Sequence, residues 1–166
     1  MPMSRREIAA LAESLPVPCP WNLDVFLARI SDIRNRPIRR VAVDTSGLVN
    51  SPCGLWIDRD TEDLIVHERD TSDYHIDQIV CHEIGHMMLD HHLNQQSDLG
   101  EDRVSDIHTE LLPDLDPRVV KSILTRSQFD SDQEREAETF ANILMIRAAE
   151  AGARQSMIRS MFFPQR

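Results

Sequence analysis

Between Ser72 and Asp90 the chain reads SDYHIDQIVCHEIGHMMLD, and this stretch limits what the rest can build. Ile76, Ile79, Val80, Ile84, Met87 and Met88 recur at helical spacing, and Ser72 or Asp73 is a residue type that caps a helix start. The pattern predicts a helix over 72–90 that carries the run His82-Glu83-Ile84-Gly85-His86. Residues four apart lie one turn apart on the same face, so the imidazoles of His82 and His86 can converge on one ion at ~2.0–2.1 Å. Glu83 lies one step round, where it can act as general base on a water at that ion. Gly85 implies close approach of another backbone, because a helical glycine otherwise costs about 1 kcal/mol.

Two imidazoles leave a catalytic zinc site incomplete, since such a site takes three protein ligands and one open position. The residues after His86, MMLDHHLNQQ, lack the glycine turn and third histidine of the extended motif. His91 and His92 lie too near the helix end to swing back easily as ligands. The stronger candidate is EREAETFA at 134–141, where Glu134 and Glu138 share one face of a last helix and Ala137, Phe140, Ala141 and Leu144 form its packing side. If Glu134 binds the metal, Glu138 can accept a hydrogen bond from a ligand imidazole, with Glu136 and His91 next in line as ligands should Glu134 not serve. The competing reading of this run is a solvated acidic first turn favoured by the helix dipole.

HEIGH followed by EREAETFANILM resembles the ImmA/IrrE family of metallopeptidases, whose second motif is commonly Glu-x-x-Ala-Asn-x-Phe-Ala ahead of an apolar run. The resemblance covers roughly residues 40–146 and implies Glu134 as third zinc ligand, with Glu138 at the family's Asn or Asp position. Glu138 departs from that residue type, and the proline that often follows the apolar run is absent after Ile146. The fold it implies is a zincin-like α+β domain: a small, mostly antiparallel sheet packed on the metal helix, with additional helices. The activity it implies is zinc-dependent endopeptidase cleavage of a regulatory protein such as a transcriptional repressor or antitoxin. Two alternatives use the same residues: a zinc-stabilised module that binds such a partner without cutting it, and a hydrolase of a small amide.

The 166 residues, 41% hydrophobic and 28% charged, suit one soluble domain, read as N-terminal helices over 1–38, a catalytic core over 39–146 and a C-terminal helix over 147–166. Helices are predicted over 4–14, where Ser4 and Glu7 form a capping box, and over 21–35. RRVAVD, GLWID and DLIVHE read as strands, the last two as a hairpin whose edge strand GLWID could take an extended substrate. Residues 92–115 read as loop, Asp116 to Thr125 as a short helix, and a last helix starts near Ser131 with a restart after Gly152. Tyr74, His75, His91 and His92 are the polar candidates for stabilising an oxyanion.

The first twenty residues hold no apolar run of signal-peptide length and no stretch approaches the ~20 apolar residues needed to cross a bilayer, so a cytoplasmic location is expected. Cys19, Cys53 and Cys81 have neither disulfide-framework nor zinc-cluster spacing and read as buried free thiols; Cys53 alone has a second reading, as an inhibitory thiolate on the metal. The net charge of −10 sits in the middle of the chain, with −15 over 41–116 against +3 before it and +2 after it. Such a field repels phosphates and argues against direct nucleic-acid binding.

Overall fold

The computed structural model describes residues 2–43, 54–58, 61–91 and 131–162. In chain order its elements are α1 (Arg5–Ser14), α2 (Leu23–Arg34), β1 (Ile38–Val43), β2 (Gly54–Asp58), β3 (Asp63–Glu68), α3 (Asp73–Met88) and α4 (Ser131–Phe162). The class is α+β, with a small mixed sheet and four helices among the described residues.

Local chemistry sets the helix ends. Ser4 and Glu7 form the expected capping box: the Ser4 hydroxyl accepts the Glu7 N–H and the Glu7 carboxylate accepts the Ser4 N–H at 2.8 Å. α1 stops at extended Leu15, the residue before Pro16, where the proline ring disfavours helical backbone. In α2 the Asn22 side chain accepts the Val25 N–H at 2.9 Å, and Asn35 closes the helix in the left-handed region, φ 51°. Ser72 caps α3 by accepting the His75 N–H at 3.2 Å.

The sheet order is β1-β3-β2, so the expectation of a mostly antiparallel sheet is corrected. β2 and β3 form the expected antiparallel hairpin, with Trp56 opposite Ile65, but β1 runs parallel to β3, with Arg40 opposite Ile65. The reason lies in β3 itself. Asp63, Leu64, Ile65, Val66 and His67 are all buried, and a strand with neither face open to solvent belongs in the middle of a sheet. β3 therefore takes the centre and β1 and β2 the two edges.

Asp63 is fully buried and joins three elements. It accepts the Trp56 indole N–H at 2.9 Å and the Arg34 guanidinium at 3.0 Å, while Arg34 also donates to the Met87 carbonyl at 3.2 Å. This ties α2 and the sheet to the C-terminal end of α3, the end that carries His86.

α4 is one unbroken helix through residue 147 and through Gly152, so the expected restart is absent. The N-terminal segment packs along it: Arg147 donates to the carbonyls of Ala12 and Leu15, and the Cys19 thiol donates to the Ala151 carbonyl at 3.3 Å. Cys81 is a buried free thiol as expected, and burial pushes its pKa up. Cys19 is exposed instead. The core between the helices and the sheet is centred on Phe26, Ile30, Ile65, Val80, Ile84, Phe140 and Leu144. No helix of the described residues is long and apolar enough to cross a membrane. The predicted loop over 92–115, the helix ending at Thr125, Cys53 and His92 lie outside the described residues.

Candidate metal centre

α3 and α4 pack face to face, and one glycine permits it. A Cβ placed on Gly85 would lie 3.1 Å from both Cα and O of Ala137 and 3.2 Å from Phe140 Cδ1, so the close backbone approach expected at Gly85 is that of α4. In an isolated helix Gly→Ala gains about 1 kcal/mol, whereas forcing an extra methyl group into a packed contact costs about 1–3 kcal/mol. Because the atoms met are backbone, the second effect should win. Gly85→Ala is expected to lose about 1 kcal/mol net in urea unfolding, and a gain would show that the two helices separate freely.

This packing brings together side chains from the two distant motifs. His82 Nε2 lies 3.0 Å from His86 Nε2 and 3.2 Å from Glu134 Oε2, and Glu134 Oε1 lies 3.6 Å from His86 Nε2. His82, His86 and Glu134 form a group able to hold a metal ion. Bonds of ~2.0–2.1 Å in a tetrahedron put neighbouring ligand atoms about 3.3–3.4 Å apart, so these separations match the donor set. His86 is buried, His82 is partly buried, and the half-exposed Glu134 leaves the front of the group facing solvent.

The two imidazoles differ electrostatically. Burial, followed by the neighbouring His82 and His91, pushes the pKa of His86 down to about 2. For His82 burial alone would also lower it, but the hydrogen bond to Glu134 and the charges of Glu83, Glu134 and Glu138 more than offset this and raise it. His86 therefore binds a proton in the unfolded chain and not in the fold below its ordinary pKa of 6.5. His82 is protonated in both states there and adds no slope. Metal-free protein should thus lose stability as pH falls from 6 to 4, by at most about 1.4 kcal/mol per pH unit from this group. Urea unfolding in chelator should show that slope flattened in His86→Phe; an equal slope in both would refute the assignment.

Glu83 is buried, and a Cβ on Gly54 would lie 2.3 Å from Ile79 Cγ2 and 3.0 Å from Glu83 Oε1, so β2 passes close beside both side chains and a larger residue there would force a shift. Glu138 is exposed, and no hydrogen bond joins it to an imidazole among the described residues; its effect on His82 is through charge. The expected supporting contact is made instead by His91. Asp90 adopts a left-handed conformation, φ 54°, and the His91 N–H bonds back to the His86 carbonyl at 3.0 Å. That turn carries the His91 ring behind His86, Nδ1 to Nδ1 at 2.9 Å, and His91 Nε2 lies 3.0 Å from Glu136 Oε2. His91 thus does swing back, to the rear of His86 and not to the metal group. Being committed there, it is no longer a free oxyanion donor. Tyr74 and His75 lie eight and seven residues before His82, roughly 12 and 10 Å along the helix axis.

Spacing alone did not single out Gly54, or His91 and Glu136 as a hydrogen-bonded pair. The only hint at Gly54 was a glycine opening a strand. No family model, curated protein or solved structure matches this chain, so the functional reading rests on its own residues and their arrangement.

Proposed function

We propose that the protein is a zinc-dependent endopeptidase of the ImmA/IrrE type with a zincin-like core, acting in the cytoplasm on a regulatory protein such as a transcriptional repressor or antitoxin. The observation that carries this is the meeting of His82 and His86, from the HEIGH helix, with Glu134 from α4 within ligand-to-ligand distances. Two imidazoles, one carboxylate and a solvent-facing front suit zinc in a hydrolytic role. Zinc bound there would act as a Lewis acid, polarising a scissile carbonyl and lowering the pKa of water towards ~7.

The chain's own residues supply the rest. Glu83, shielded from bulk solvent, takes a proton from the attacking water and delivers it to the departing amine, so that the amide bond breaks with one water consumed. β2 is an edge of the described sheet and passes beside Glu83, which suits an extended substrate lying along the strand.

The test compares new protein N-termini in cells expressing the wild type or Glu83→Gln, with terminal-amine labelling as readout. Cleavage products should appear with the first and be absent with the second. A variant that retains full biological effect without producing any fragment would favour the module that binds and does not cut.

A further inference from the structure

Behind the metal group lies a second line of polar contacts. His91 is 5% exposed, and its ring meets that of His86 edge-on, with centroids 5.0 Å apart. From His86 Nδ1 the line runs to His91 Nδ1 at 2.9 Å, then from His91 Nε2 to Glu136 Oε2 at 3.0 Å, and it ends where Glu136 Oε1 accepts the Met3 N–H. We propose that His91 and Glu136 are positioning residues that hold the His86 ring with Nε2 directed at His82 and Glu134. This rests on the metal-centre reading above.

The direction of each bond fixes the next. The Glu136 carboxylate accepts on both oxygens, from the Met3 amide and from His91 Nε2–H. His91 then presents Nδ1 as an acceptor, and His86 must donate its Nδ1–H to it. The lone pair of His86 is left on Nε2, the atom that faces His82 Nε2 at 3.0 Å. Glu134 and Glu136 divide the work on α4: one faces His86 Nε2 and the other holds His91 behind that ring, with Ala137 packed against Gly85 beside them. Outer partners of ligand histidines commonly hold ring orientation and proton placement in this way, and their loss weakens metal binding by roughly 10–100-fold.

Zinc affinity of the full chain, measured by competition with a chromophoric chelator, tests the role. His91→Phe keeps a ring and removes the acceptor, while Glu136→Gln keeps the shape and removes the charge; each should weaken zinc about 10–100-fold. Their combination should be no worse than His91→Phe alone, because both cut one line. Long-range proton–nitrogen NMR of zinc-loaded protein should find the His86 ring proton on Nδ1 in the wild type. Variants that bind zinc as tightly as the wild type while His82→Ala loses it would overturn the positioning role and leave the metal centre standing. A wild type that takes up no zinc would overturn the metal centre and the positioning role with it.

Discussion

Glu83→Gln should retain zinc within about twofold of the wild type and lose peptide-bond hydrolysis by about 10²–10⁴-fold, the usual contribution of a positioned general base. The HEIGH run places two roles side by side: ligands at His82 and His86, and a proton carrier at Glu83. Glu83 is not in the His82–His86–Glu134 group, and its negative charge helps to raise the pKa of His82. Glutamine keeps the volume in the space that Gly54 leaves, so packing should survive. What it loses is the ability to take a proton from water. Metal content by atomic emission and initial rates on a cleavable partner together decide the matter. Hydrolysis undiminished in this variant would remove Glu83 from the reaction.

Glu134→Ala should bind zinc roughly 10²-fold more weakly, since 10–16 kcal/mol shared among the four ligands of a structural zinc site averages about 3 kcal/mol each. The carboxylate is half-exposed, so water can enter its place, and the expected result is weakened rather than abolished binding. Stability without metal should change little, because the first turn of α4 contributes an exposed side chain there while Ala137 and Phe140 do the packing. Dialysis against a moderate chelator, followed by metal analysis, should leave the wild type loaded and the variant empty. Full stoichiometric zinc in Glu134→Ala would refute it as a ligand. Glu136 would be a poor replacement, since both of its oxygens are engaged by His91 and Met3.

Much of the candidate site was legible from spacing because helical geometry is local. His82 and His86 share a face for the same reason that Ser72 caps their helix: both depend on residues within a few positions. The role of Gly85 was legible too, as a penalty that needs a compensating contact. Glu134 could be nominated but not placed by that reasoning, since it lies 48 residues beyond His86 and only packing sets the separation.

Residue spacing was enough for the four described helices, the Ser4–Glu7 capping box, the β2–β3 hairpin, and the two motifs that supply His82, His86 and Glu134. Tertiary structure alone decided the central place of β3, the unbroken run of α4 through Gly152, and the choice of His91 over Glu138 as the contact behind His86. Local periodicity records which face of an element is apolar, and nothing more distant. Strand order follows from burying both faces of β3, and the turn at Asp90 matters only because α4 offers Glu136 to the ring it brings back.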